Sequence, residues 1–446
     1  MRKWLFILLY FASPLFPIIV TYQANPGRYA SNDMLLSMVL GAVAFTWLSW
    51  QFIMSARPKM IEVVFGMDKI YRFHGMMAII ALIMVFVHQL IKENIFGENL
   101  MTTIGTISMI TFIVISVISI LLMVSSFVTR IEPFKTIRKI VESLKVFKYA
   151  HYRFLHNMTI LALILMQIHV LLTSIVKANK LVFGAYMIYF LLGFGFYCYH
   201  KVVKPSILQE ERYIVSDVIE ETPTMWSIYM TPKNGKVMLY KPGQFGFFRV
   251  VKGQVAREEH PFSISSSPTN REFLSVTIKA LGDYTKSINQ IKPGDELTVE
   301  GPYGRFSYVN YRKEISRVFI VGGIGITPIL SMLRYMKDVD PKQRVLLIWG
   351  MNQISEYIIA DEMKEIINHM PNLKIIPVVA SDPSYEGEKG YIDRFKLERL
   401  LNEGLLIDTT TGFYLCGPLI LMNNSIKNLS DIGIEKNMIH YEKFSL

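Results

Sequence analysis

The sequence predicts a multidomain chain: six transmembrane helices in a bundle, then an antiparallel β-barrel, then an α/β domain of Rossmann-like type. Three observations lead there. Hydrophobic residues make up 51% of 446 and charged residues only 19%, which excludes disorder and is unusual for a soluble chain. The net charge of +11 is unevenly placed, with 19 Lys/Arg against 7 Asp/Glu in residues 1–206 and 28 against 29 in the rest. After Lys204-Pro205, long apolar runs give way to short segments broken by Gly and Pro. A basic excess confined to the apolar half is a membrane pattern, so a lipid membrane is expected as partner and nucleic acid is not. Expected boundaries are 1–206, 207–309 and 313–446.

Six stretches are long enough to cross ~30 Å of hydrocarbon, near residues 4–22, 34–54, 71–92, 102–128, 154–176 and 181–203. Alternate loops carry 15 Lys/Arg, seven of them between Arg130 and Arg153, whereas the other loops carry only Arg28, Lys92, Lys177 and Lys180. The positive-inside bias places both termini and the soluble half in the cytoplasm, with the chain in the cell membrane. The first stretch is read as a retained helix, because removing it as a signal peptide would leave five crossings and put the soluble half outside. Cys198 and Cys416 are too few for a disulfide framework or a four-cysteine metal site and are expected as thiols.

Histidine is costly inside a bilayer and marks function there. His74 and His88 fall on the third stretch, His156 and His169 on the fifth, and both helices run outward. Separations of 14 and 13 residues correspond to ~21 and ~20 Å of rise, so His74 can face His156 at one depth and His88 can face His169 at another. Two such imidazole pairs suit two bis-histidine haems of the b type. The 13-residue spacing leaves His169 about 140° off the face of His156, so the fifth helix must kink, overwind or approach its haem obliquely. His151, 18 residues before His169, is the competing inner ligand.

In the soluble half, Tyr213–Ile219, Trp226–Met230, Gln244–Val250, Ser275–Lys279 and Glu296–Glu300 read as strands of a small antiparallel barrel. From residue 316, strands Val318–Val321, Val345–Trp349, Lys374–Val379 and Gly412–Cys416 alternate with helices, one running to Met336 and one near 360–369. Val318–Val321 ends in Gly322, Gly323 and Gly325, and a helix opens at Thr327-Pro328, with Thr327 expected as its N-cap and Pro328 as its first residue. Such a turn lets backbone N–H groups approach a pyrophosphate at a helix N-terminus.

His260-Pro-Phe-Ser-Ile-Ser-Ser-Ser-Pro268 follows Pro242-Gly-Gln-Phe245, and is itself followed by Gly282-Asp-Tyr-Thr285, Gly301-Pro-Tyr-Gly304, the glycine turn and Cys416-Gly417-Pro418. In this order and spacing the soluble half resembles the flavin and pyridine-nucleotide modules of the ferredoxin–NADP reductase superfamily. With the histidine pairs, the chain resembles the ferric reductase/NADPH oxidase family of transmembrane flavocytochromes, in the compact form of its bacterial members. The resemblance implies FAD held by His260, Pro261, Phe262, Ser263 and Ser265, with Lys279, Gly282 and Thr285 toward its phosphates. It implies NADPH or NADH held by Gly322, Gly323, Gly325, Thr327, Pro328, Gly417 and Pro418. Cys416 would lie beside the nicotinamide, and Phe444 is the match to an aromatic that stacks on the flavin.

The implied activity is electron transfer from cytosolic NAD(P)H through FAD and the two haems to an outer acceptor: O2 giving superoxide, or alternatively a ferric chelate. A haem-free membrane flavoprotein is the other reading. The segment Trp349-Gly-Met-Asn-Gln353 holds no base for a 2′-phosphate, so NADH should be accepted beside NADPH. No obligate protein partner is evident.

Overall fold

The computed structural model describes residues 2–93, 97–123, 132–143, 149–210, 212–404 and 410–442. They fall into two compact units that divide after Pro205. In the first, six helices are long and apolar enough to cross a membrane: Lys3–Ala24, Asn32–Ser55, Met67–Lys92, Leu100–Leu122, His151–Leu172 and Lys180–Leu208. The chain is a multi-pass membrane protein.

Apolarity produces these helices and a few polar residues shape them. The first span is two helices, Arg2–Ala12 and Leu15–Ala24, interrupted at Ser13-Pro14 because Pro lacks the N–H that would continue the ladder. Ser13 Oγ donates to the Tyr10 carbonyl that Pro14 leaves without a donor, at 2.7 Å, and neighbouring spans hold the break: Trp50 Nε1 donates to Ser13 Oγ at 3.1 Å and Tyr189 Oη to the Ser13 carbonyl at 2.6 Å. In the second span, Thr46 and Ser49 donate to the carbonyls of Ala42 and Phe45 one turn back, so neither hydroxyl faces hydrocarbon unpaired. A Cβ on Gly193 would lie 2.8 Å from the Ser49 carbonyl oxygen, so the second and sixth spans pack backbone against side-chain-free backbone.

The fifth span breaks between His156 and His169, at Met158. Helix Tyr149–Asn157 ends, Met158 intervenes, and helix Thr159–Leu172 follows. The Met158 N–H bonds the Leu155 carbonyl and the Leu161 N–H the Met158 carbonyl, both at 2.9 Å. These i→i+3 bonds wind the chain at ~120° per residue instead of ~100°. The overwinding turns His169 back toward the face of His156. Short helices Lys59–Phe65 and Glu132–Ser143, in segments read as loops, complete this unit.

In the second unit, β1 (Arg212–Thr222), β2 (Met225–Pro232), β3 (Phe245–Lys252), β4 (Glu259–Ser263), β5 (Leu274–Lys279) and β6 (Glu296–Tyr303) form an antiparallel sheet in the order β4-β3-β6-β1-β2-β5. A bridge between Ile264 and Val276, beyond the end of β4, joins the outer strands and closes the sheet into a barrel. Alternate residues such as Val215, Ile228, Phe248, Val250 and Val299 fill it.

A parallel sheet follows, in the order β10-β9-β8-β7-β11-β12: β7 (Ser316–Gly322), β8 (Arg344–Met351), β9 (Leu373–Val379), β10 (Glu388–Lys389), β11 (Thr411–Cys416) and β12 (Ile439–Tyr441). Phe319 and Val321 of β7 pack with helices Ile326–Val339 and Ala360–His369, while Val318 and Ile320 pack with Arg394–Gly404 and Leu419–Asp431. Both faces are therefore covered, as a near-continuous apolar strand demands. Strand order reverses at β7, which puts the crevice for a ligand at its C-terminal end. This is the ferredoxin–NADP reductase-like arrangement.

Candidate functional site

The membrane unit brings the four histidines together in two pairs. His74 and His156 have ring centroids 6.1 Å apart at an interplanar angle of 70°; His88 and His169 are 6.5 Å apart at 86°. His151, on the same helix as His156, is exposed, and it is His156 that faces His74. Three of the four rings are anchored through Nδ1. His88 Nδ1 lies 2.7 Å from the Ser37 carbonyl and 3.0 Å from Ser37 Oγ; His169 Nδ1 lies 2.8 Å from the Met101 carbonyl; His156 Nδ1 lies 3.0 Å from Ser119 Oγ. Fixing Nδ1 orients each ring and leaves Nε2 as the nitrogen free to bind, as in metal-bound histidines. The Nδ1 of His74 is buried without a hydrogen-bond partner among the described residues.

A cleft open to solvent lies at the His74–His156 pair, walled by Leu48, Phe52, Leu82 and Phe112 and reached by Asn157 and Lys201. At the other pair the rings lie directly against glycine: a Cβ on Gly41 would lie 3.0 Å from the His88 ring and one on Gly105 2.6 Å from the His169 ring. Among the described residues no cluster of three or more His, Cys, Asp or Glu could hold a metal ion by itself.

In the second unit the two glycine motifs meet. A Cβ on Gly325 would lie 2.5 Å from the Cys416 carbonyl oxygen, and one on Gly417 (φ +148°) 2.8 Å from the Gly322 nitrogen. Gly323 (φ +50°) instead faces open space, and Trp349 Nε1 fixes its carbonyl at 3.1 Å. The loops after β7 and β11 thus close on each other and leave one stretch of bare backbone open to a ligand. The helix begins two residues earlier than expected, at Ile326 after a 3₁₀ turn Gly323–Gly325. This corrects the expected capping: Gly325 is the N-cap, Thr327 lies inside the first turn with its hydroxyl donating back to the Ile324 carbonyl, and Pro328 follows it. The tight 3₁₀ turn takes up the residues that a side-chain cap would need.

On the barrel, His260, Pro261, Phe262 and Ser263 lie on β4. The His260 ring stacks on Tyr284 at 3.7 Å and its Nε2 lies 3.1 Å from the Glu258 carboxylate. Burial, with help from Glu258, pushes the Tyr284 hydroxyl up to about 12, so it is a neutral donor at all ordinary pH. Ser265 is buried against Ser275 at 3.0 Å. Thr285 Oγ1 accepts the N–H groups of Leu281 and Gly282, both at 2.9 Å, so the hydroxyl shapes its own turn. Lys279 pairs with Glu356 at 3.3 Å. Pro418 lies beside Gly322. Phe444 lies outside the described residues.

Two residues of this region escaped the sequence reading. Tyr284 had been only part of a Gly-Asp-Tyr-Thr turn. Glu442 is buried beyond β12, close to Gly304, and its charge adds to burial in raising the Cys416 thiol far above the usual range. Neither has a sequence signal apart from the contacts that the fold creates.

Three family models match the chain in order: a ferric reductase like transmembrane component over residues 40–167, an FAD-binding domain over 223–307 and an oxidoreductase NAD-binding domain over 319–427. Over 246 residues the chain is 25% identical to a flavohemoprotein of Bacillus anthracis, covering 52% of this chain and 60% of that one. It is 28% identical over 250 residues to a flavohemoprotein of Rhizobium meliloti, with the same shares covered. The chain thus spans about 60% of the length of the curated relatives it matches. Among solved structures, the flavohem-like FAD/NAD-binding domain of a nitric oxide dioxygenase from Vibrio cholerae O1 biovar El Tor matches 52% of this chain and 98% of its own, at 25% identity and a TM-score of 0.46. With a transmembrane reductase component joined to an FAD-binding barrel and an NAD-binding α/β domain, the chain is an oxidoreductase whose domain order is consistent with the ferric reductase/NADPH oxidase family.

Proposed function

We propose that this protein carries electrons from cytosolic NAD(P)H, by way of FAD and two b-type haems, to an acceptor on the outer side of the cell membrane. The observation that carries the reading is the pair of imidazole pairs, 6.1 and 6.5 Å apart at two levels of the bundle. Two rings sharing one metal, each bond ~2 Å long, have centroids about 6 Å apart. A cleft opens at the inner pair, and the glycines beside the outer pair let its rings lie against the neighbouring helices.

When bound, FAD accepts a two-electron hydride and the haems pass single electrons onward, which is why a flavin stands between nicotinamide and iron. The chain supplies binding, orientation and exclusion of water. Gly323 and the N-terminus of helix Ile326–Val339 offer N–H groups and positive potential to a pyrophosphate. Trp349 holds that turn in place. Cys416, a neutral thiol at the end of β11, puts no charge beside a nicotinamide. Ser37, Met101 and Ser119 hold Nδ1 of His88, His169 and His156, so these rings would offer Nε2 to an iron if haem is bound.

For the acceptor, O2 with superoxide as product is the first reading; haems held by these histidine pairs would have both axial positions filled and would pass electrons to O2 without binding it. A ferric chelate is the second, favoured by the transmembrane family that matches residues 40–167. The test is anaerobic addition of NADH or NADPH to purified protein, following haem reduction, and then O2 or ferric chelate offered separately. A protein that shows flavin absorbance but no haem Soret band, after expression with ample porphyrin, overturns the reading.

A further inference from the structure

One face of helix Ile326–Val339 grips the barrel. Ser331, Arg334 and Asp338 stand at i, i+3 and i+7 on it, and each bonds the segment that continues from β4. Ser331 Oγ donates to the Ser266 carbonyl at 2.6 Å, Arg334 Nη1 donates to the Ser265 carbonyl at 2.5 Å, and Ser267 Oγ donates to the Asp338 carboxylate at 2.8 Å. The guanidinium is itself held by a bidentate pair with Glu362 of helix Ala360–His369, at 2.6 and 2.7 Å. Its side chain is only 11% exposed. Such a planar fork is pre-organised, so little freedom is lost in aiming the remaining N–H at one carbonyl.

The placement matters because this helix opens at the Gly322–Gly325 turn, while the segment it grips begins at His260. Hydride transfer needs reacting atoms about 3–3.5 Å apart, and a misplacement of about 1 Å costs about 100-fold. The two half-sites stand on different domains, so their separation is set by whatever joins the domains. A surface ion pair would be too weakly held to do this; a buried fork bonded to a backbone carbonyl is not. We propose that Arg334 is a positioning residue that sets the nucleotide turn against the flavin-binding strand for hydride transfer. This rests on reading residues 260–265 and 322–328 as those two half-sites.

The test compares Arg334→Gln, Arg334→Lys and Ser331→Ala in the full-length protein. The absorbance of the complex between nicotinamide and flavin, seen on adding NADP+ or NAD+ without turnover, reports stacking directly. Arg334→Gln should keep its FAD content yet lose that band. Its flavin reduction by NADH should fall about 10–100-fold with KM nearly unchanged. Onward transfer from photoreduced flavin should keep the parent rate, and Arg334→Lys should recover part of the loss. An unaltered band and rate in Arg334→Gln overturns the proposal, as does a rate that falls only in step with FAD content. If Arg334→Gln does not fold, Arg334→Lys and Ser331→Ala decide by the same readouts, each expected to weaken the band. A parent protein whose flavin NADH does not reduce would instead overturn the reading of the half-sites.

Discussion

Gly105 of the fourth span stands so close to His169 of the fifth that a Cβ there would lie 2.6 Å from the imidazole Nδ1. No side chain fits between helix and ring, so the ring owes its position to a missing one. Gly41 plays the same part for His88, at 3.0 Å. Overpacking of this kind displaces the more movable partner. Gly105→Val should push His169 aside and lower haem from two per chain to one by pyridine haemochrome assay, with NADH still reducing the flavin. Gly184→Val, where nothing lies within 4 Å, is the control and should keep both. Two haems retained in Gly105→Val would count against the assignment.

The ligands themselves can be removed. His88→Leu or His169→Leu should each abolish the outer haem while leaving hydride transfer to the flavin intact. For the inner centre, His156→Leu should lose a haem and His151→Leu should not, because the ring facing His74 is that of His156. The opposite pattern in haem content would reverse the choice.

At the nucleotide turn, Gly325→Ala would bring a methyl within 2.5 Å of the Cys416 carbonyl oxygen. Backbone carbonyls cannot yield as a flexible side chain does, and the strain is about 1–3 kcal/mol. The KM for NADH and for NADPH should both rise, roughly tenfold or more, with haem content unchanged. Steady-state kinetics that match the parent would show that the two loops need not touch.

Burial, reinforced by Glu442, raises the Cys416 thiol well above the ordinary cysteine value. The folded state therefore keeps the proton that the unfolded state loses. Its contribution is complete below about pH 8.5 and declines as alkali ionises only the unfolded chain. Iodoacetamide at pH 8 should spare Cys416 until denaturant is added, as read by mass spectrometry. Rapid alkylation of the folded protein would mean the thiol is neither buried nor neutral.

Nucleotide choice is the fifth test. The first charged residue after β8 is Glu356, an acid, and no base occupies Trp349–Gln353 to meet a 2′-phosphate. NADH should support turnover beside NADPH. A preference for NADPH above about a hundredfold would contradict this.

The spans, the histidine pairing and the glycine turn were legible because each rests on local chemistry: hydrocarbon thickness, ligand spacing, a strand ending where a helix begins. The 13-residue spacing even foretold a distortion of the fifth span, but not its place, since Met158 has no residue type that marks a break. β4 was missed because His260-Pro-Phe-Ser carries a proline and no alternation, and β10 and β12 because two or three residues have no period. The capping at Thr327 was misjudged because a 3₁₀ turn leaves no mark in composition. Arg334 was invisible for a deeper reason: its partners Ser265 and Glu362 are remote in the chain and meet only once both domains exist.

The indole of Trp349 donates to Gly323 at the very residue whose backbone is open to a ligand, and its ring lies 5.0 Å from that of Tyr357. Its near-ultraviolet emission should therefore change when that stretch is covered, which makes the chain its own fluorescent gauge of occupancy. Trp349→Phe would silence the signal, and titrations could then be read in light without label, turnover or iron.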